Sequence, residues 1–215
     1  MKKSIRFDYE AKYFLSHEPT FTEKEIWLVL HGYGQLAEFF IRKFNQYFSP
    51  GKLFIAPEGT NHNYLDGFQG RVGANWMTRH ERESAIENNH RFLDTLLDSI
   101  LPGYTTPPKI NVLGFSQGAA TATRWASRSK LGIETLVLWA GGFAMDLTLD
   151  DAREKFKNTR LILALGERDE LITPESILKQ EELIGGLNKE IIRLSFPGGH
   201  EIDHELLEKI INQEG

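Results

Sequence analysis

The chain has 215 residues, 40% of them apolar and 26% charged, with a formal net charge of −5. That length predicts one domain around one well-buried core, since domains run to about 100–200 residues. The Lys and Arg residues are scattered and form no phosphate-neutralising stripe, which argues against nucleic acid as a partner, and the absence of cysteine excludes disulfides, thiolate metal sites and a thiol nucleophile.

Met1-Lys2-Lys3 opens the chain, but Asp8 and Glu10 break the stretch that follows before an apolar run can form. No signal peptide is expected, no run approaches the ~18 apolar residues of a membrane span, and the expected location is cytoplasmic. Residues 5–15 suggest an antiparallel edge strand. Further strands are expected at residues 26–31, 52–56, 110–114, 135–140, 160–166 and 190–195. Most are continuously apolar, the pattern of parallel strands covered on both faces.

Helical patterns fall between them. Leu36, Phe39, Phe40, Phe44 and Phe48 share one face; Ile86, Leu93, Leu96, Leu97 and Ile100 share another; Ile202, Leu206, Leu207, Ile210 and Ile211 form the last stripe. Pro174 suits the first turn of a helix over residues 175–184. Strand and helix in alternation predict three layers, a mostly parallel sheet between helices. The apolar stripes are expected to be core and so define no oligomeric interface. Residues 59–79, punctuated by Gly67, Gly70 and Gly73, are expected to be one long irregular loop forming a wall of a ligand site.

Gly114-Phe115-Ser116-Gln117-Gly118 is the segment with the clearest chemistry. G-x-S-x-G is short enough to recur by chance, so its setting decides. A buried-strand pattern, Ile110-Asn111-Val112-Leu113, precedes it, and the small-residue run Ala119-Ala120-Thr121-Ala122-Thr123 follows. Strand, sharp turn and helix are what a nucleophile elbow needs. The glycines leave room for a strained serine at the tip, and the helix N-terminus beneath it favours developing negative charge.

In such a site the order along the chain is serine, acid, histidine. Of the seven histidines only His200 and His204 follow Ser116 and the next two expected strands. His200 lies in the turn Pro197-Gly198-Gly199-His200, whereas His204 falls inside the expected last helix, so His200 is the candidate base. Asp169, just beyond the strand at residues 160–166, is a candidate acid, with Glu167, Glu170 and Asp146 as competitors. The strand at residues 26–31 runs into His31-Gly32-Tyr33-Gly34-Gln35. There the backbone N–H of Tyr33, with that of Gln117, would form an oxyanion hole; His31 itself is expected to be a structural, hydrogen-bonded histidine.

Two other readings compete. His200-Glu201-Ile202-Asp203-His204 matches H-E-x-x-H, a zinc-hydrolase motif that works only on one helix face. Pro197-Gly198-Gly199 places His200 on a turn instead, so no metal is expected. A non-catalytic binding protein on the same fold would be a plausible reading had a triad member been missing.

Together these segments resemble the phospholipase/carboxylesterase family, which includes acyl-protein thioesterases. The resemblance spans about residues 26–206. It rests on Leu30-His31-Gly32-Tyr33-Gly34, Gly114-Phe115-Ser116-Gln117-Gly118, residues 166–169 followed by Ile172-Thr173-Pro174, and Gly198-Gly199-His200-Glu201. It singles out Asp169 as the acid. It implies an α/β-hydrolase fold without a large cap domain, acting on a small-molecule ester or thioester through an acyl-enzyme, with no cofactor. Gln35 stands where the thioesterase branch has Asp, Ala119 where it has a second glycine, and Trp76-Met77-Thr78 where it has Trp-Phe-Asp. These departures favour a general carboxylesterase over protein deacylation. Phe68, Trp76, Met77, Phe143, Leu171 and Ile172 are expected to line an open pocket for short-to-medium acyl groups.

Overall fold

The computed structural model describes residues 1–212. Its centre is a seven-stranded sheet. The strands are β1 (Tyr13–Leu15), β2 (Glu25–Leu30), β3 (Lys52–Pro57), β6 (Lys109–Phe115), β7 (Thr135–Trp139), β8 (Arg160–Gly166) and β9 (Ile192–Phe196). Their spatial order is β1-β3-β2-β6-β7-β8-β9, with β1 antiparallel to β3 and every other pair parallel. A separate antiparallel ribbon is formed by β4 (Asn61–Asp66) and β5 (Gln69–Asn75).

The continuous apolar strands divide by alternation. From β2, Ile26, Leu28 and Leu30 enter one hydrophobic layer, while Trp27 and Val29 enter the other. The first layer is closed by α2 (Arg82–Ile100), α3 (Gln117–Arg128), α4 (Leu149–Lys155) and α5 (Pro174–Leu187). The second is closed by α1 (Ala37–Phe40), the 3₁₀ segment Ile41–Tyr47 and α6 (His204–Ile211). No helix among the described residues is long and apolar enough to cross a membrane.

The expected single helix with the Leu36–Phe48 stripe is instead one α-turn continued as a 3₁₀ run. Phe40, Phe44 and Tyr47 face the core, and Phe39 is turned out. Residues 59–79 are not the irregular loop expected but chiefly the β4–β5 ribbon, closed by Gly67 at φ +61°. Of the expected edge strand at residues 5–15, only Tyr13–Leu15 pairs with β3. Ile5 and Phe7 stand exposed, with no apolar surface to pair against.

The topology positions the site. From β2 the chain steps outward to β3, then returns across β2 to β6, so the strand order reverses between β2 and β6. In open parallel sheets, ligands bind at such a reversal, outside the strand C-termini. The His31–Gln35 turn follows β2 there, and Ser116 follows β6.

Candidate active site

Ser116 occupies φ +53°, ψ −117°, a left-handed backbone that ordinary side chains rarely adopt. Close packing holds it there. A Cβ on Gly114 would lie 2.4 Å from the Gly118 carbonyl oxygen, and one on Gly118 would lie 2.3 Å from the Leu30 carbonyl oxygen. The turn is therefore wedged against the end of β2. The Ser116 N–H donates to the Trp139 carbonyl at 2.8 Å, tying the elbow to β7 as well.

His200 and Asp169 arrive from two neighbouring strand ends. Arg168 joins their turns: its N–H donates to the Gly198 carbonyl at 2.9 Å and its guanidinium to the Pro197 carbonyl at 2.6 Å. Trp139 Nε1 donates to the Glu201 carbonyl at 2.7 Å, fixing the far side of the histidine turn. The result is a relay of side chains. His200 Nδ1 is 2.8 Å from Asp169 Oδ2, and His200 Nε2 is 2.9 Å from Ser116 Oγ. A carboxylate can only accept, so Nδ1 carries the proton and Nε2 is left to accept from the serine hydroxyl. The Asp169 carboxylate is sealed from solvent, and its Oδ1 accepts from the Leu171 N–H at 3.0 Å.

The competing acids lie elsewhere. Glu167 reaches Ser195 Oγ at 3.3 Å, and Glu170 is exposed. Asp146 binds Arg124 and Arg82, joining the loop after β7 to α3 and α2. Burial opposes its ionisation, but the two guanidiniums outweigh that and hold its pKa at about 2.

The H-E-x-x-H segment does not form one helical face. Helix α6 begins only at His204, capped by Asp203, while both His200 nitrogens meet Asp169 and Ser116. His204 Nδ1 instead lies 3.2 Å from Gln46 Nε2. Among the described residues no group of three or more His, Asp or Glu side chains is arranged to hold a metal ion.

The two expected oxyanion donors come from adjoining turns. Gln117 opens α3, so its N–H has no intrahelical acceptor. Its side chain does something the sequence did not reveal. Oε1 accepts from the Trp76 N–H at 2.8 Å, and Nε2 donates to the Met77 carbonyl at 2.9 Å, clamping the end of β5 to the elbow. The turn bearing Tyr33 is pinned to β5 through the Gly34 N–H, which donates to the Ala74 carbonyl at 2.8 Å. Gln35 Oε1 accepts from the Gly32 N–H at 2.9 Å, bracing the same turn from within. His31 is fully buried: Nδ1–H donates to the Gly32 carbonyl at 2.7 Å, and Nε2 accepts from the Gly59 N–H at 2.9 Å. Burial lowers its pKa to about 4, so it is neutral and structural.

The expected pocket residues separate into two groups. Trp76 is 0% exposed, stacked on His31 with Nε1 donating to the His31 carbonyl, and Phe143 is 2% exposed within the core. Both are corrections: aromatic rings this large fill the layer under the sheet, and neither has a face free for a ligand. Phe68 is corrected in the opposite sense, at 96% exposed on the ribbon turn, where it touches no wall. Met77, Leu171 and Ile172 remain beside the site. The Met77 carbonyl meets Gln117, Leu171 is 67% exposed, and Ile172 is partly buried next to Asp169. Phe115 was overlooked as a site residue. Its ring lies 5.1 Å from the His200 imidazole, shielding one face of the base.

Comparison with known proteins agrees with this architecture. The model of the phospholipase/carboxylesterase family matches residues 14–213. No match was found among curated proteins. Acyl-protein thioesterase 2 from Zea mays superposes with a TM-score of 0.72 at 16% identity, covering 95% of this chain and 97% of that one. A phospholipase/carboxylesterase from Dyadobacter fermentans gives 0.70 at 16% identity, over 96% and 97% of the two chains. The Bacillus cereus carboxylesterase gives 0.67 at 15% identity, over 94% and 92%. At these identities the superpositions speak for the fold, and the family match speaks for kinship: the chain belongs to the phospholipase/carboxylesterase family and is an esterase-type hydrolase on the α/β-hydrolase fold.

Proposed function

We propose that the protein cleaves carboxylic esters or thioesters of short-to-medium acyl chains through a Ser116–His200–Asp169 triad. The observation that carries this reading is the relay of 2.9 Å and 2.8 Å contacts from Ser116 through His200 to Asp169, with Ser116 held in a left-handed turn. His200 Nε2 takes the hydroxyl proton as Ser116 Oγ attacks the acyl carbon, and the Tyr33 and Gln117 N–H groups receive the oxyanion. The leaving alcohol or thiol departs with the proton from His200. Water then repeats the sequence on the acyl-enzyme, releasing the acid and restoring Ser116. Asp169 orients the imidazole and stabilises its cationic form. These steps draw only on the chain's own groups and water.

The preference for short-to-medium chains rests on the open rim. The segment between β7 and β8 holds only the seven-residue α4, packed among α3 and α5, and builds no helical cap over Ser116. Met77, Leu171 and Ile172 are apolar groups beside the serine turn and would contact the substrate.

A fluorophosphonate probe, which phosphonylates an activated serine hydroxyl, tests the assignment directly. Intact-mass and peptide analysis should place a single adduct on Ser116. Ser116→Ala should lower hydrolysis of p-nitrophenyl butyrate by about 10⁴-fold or more while the circular dichroism spectrum is retained. Wild-type turnover by Ser116→Ala would overturn the reading.

A further inference from the structure

A groove of about 560 Å³ runs between α1 and the β4–β5 ribbon. Its mouth is the turn carrying the proposed oxyanion donor, at Gly34 and Gln35. Its walls are Leu36, Phe39 and Phe40 on one side and Val72 on the other, with Phe39 and Val72 well exposed to the open groove. It is one aromatic layer from the proposed base: the Phe40 ring lies 6.1 Å from Phe115, which lies 5.1 Å from His200.

Two cations border this apolar trough. Lys43 comes from the 3₁₀ segment and Arg71 from β5. Lys43 is half-buried, yet neither residue forms an ion pair among the described residues, whereas the neighbouring Arg42 is paired with Glu38. A chain of net charge −5 has many carboxylates to spare. Arg71 is exposed and neither cation has to give up an intramolecular partner, so both are free to meet a ligand anion through charge-assisted hydrogen bonds. An apolar trough with a few convergent charged groups is the usual form of a ligand site.

We propose that this groove holds an amphipathic anion, an apolar chain of several carbons ending in a carboxylate or phosphate monoester, as the limb of the substrate that passes the oxyanion turn. Phe39, Leu36 and Val72 bury the chain, and Lys43 and Arg71 take the charged end. The proposal deepens the ester-hydrolase reading and rests on it for the word substrate, although binding itself does not require the triad.

Two measurements separate the two readings. Ser116→Ala protein is titrated calorimetrically with octanoate, octyl phosphate and octanol. At least one anion should bind at least ten-fold tighter than octanol, and Lys43→Gln/Arg71→Gln on that background should remove about five- to ten-fold of that preference, the scale of two partly exposed cations. Which anion wins distinguishes carboxylate from phosphate. With active protein, p-nitrophenyl hydrogen adipate is compared with p-nitrophenyl hexanoate. The double substitution should lower the anionic-to-neutral ratio of kcat/KM by about five- to ten-fold, chiefly through KM. Anion binding without Ser116-dependent turnover would keep the groove and reject the triad. Turnover with no anion preference in either assay would reject the groove. A wild-type dimer in sedimentation that the double substitution dissociates would assign the groove to a second copy and overturn the proposal.

Discussion

A methyl group on Gly118 would sit 2.3 Å from the Leu30 carbonyl oxygen and 2.6 Å from that of His31. Both are backbone atoms of β2 and the turn after it, so neither can swing aside as a flexible side chain would. Gly118→Ala is expected to cost about 3 kcal/mol or more by overpacking. It should also push α3 away from β2 and spread the proposed donors at Tyr33 and Gln117. Urea unfolding should therefore show a lower midpoint, and the folded variant should lose kcat on p-nitrophenyl butyrate. A variant with unchanged midpoint and kcat would show that the elbow has slack the packing does not suggest. Ala119, where the thioesterase branch has glycine, is different: it is fully buried in the layer under the sheet and already fills its space.

At the scale of elements, α6 follows directly from the His200 turn. Asp203 caps it, its carboxylate accepting from the Leu206 N–H at 2.8 Å. Asp203→Ala should lower stability by about 1 kcal/mol, read as a shifted urea midpoint with unchanged slope. A midpoint equal to wild type would mean that the buried stripe Leu206, Leu207, Ile210 and Ile211 alone sets the start of α6. That stripe was legible in the sequence, as were the parallel strands, because long apolar runs report burial on both faces. The β4–β5 ribbon was not legible as strand: Asn61, His62 and Asn63 in one arm and Gln69, Gly70 and Arg71 in the other offer no apolar run. Its one signal was Gly67-Phe68, a two-residue hairpin turn opening on glycine, outweighed by three scattered glycines. Ser116 and His200 were readable from local setting and chain order because the fold brings successive strand ends to one edge, whereas Asp169 was separated from Glu167, Glu170 and Asp146 only by the family resemblance. The Gln117 clamp and the burial of Trp76 and Phe143 depend on which distant surfaces meet, and no local pattern encodes that.

Across the whole molecule, two buried groups set opposite ends of the acid response. His31 is buried neutral with its pKa lowered from 6.5 to about 4, so the unfolded chain binds its proton first as pH falls. The stability it favours is complete above pH 6.5 and is lost progressively towards pH 4, by about 3 kcal/mol. Glu23 acts lower down. Burial opposes its ionisation, but hydrogen bonds from the Thr20 N–H and the Tyr104 hydroxyl outweigh it and hold its pKa at about 2, down from 4.5. Its contribution is complete above pH 4.5 and is lost as pH falls towards 2. Urea unfolding from pH 7 to 3 should therefore show two successive falls in stability. His31→Gln, whose amide can serve the Gly32 carbonyl and the Gly59 N–H without titrating, should flatten the fall between pH 6.5 and 4. Glu23→Gln should flatten only the fall below pH 4.5. A His31→Gln profile parallel to wild type down to pH 4 would show that His31 is not the proton site in that window. Because His31 supports the proposed oxyanion turn after β2 while Glu23 lies before the opposite end of that strand, beside Tyr104, activity should fail with the first transition and the remaining fold with the second.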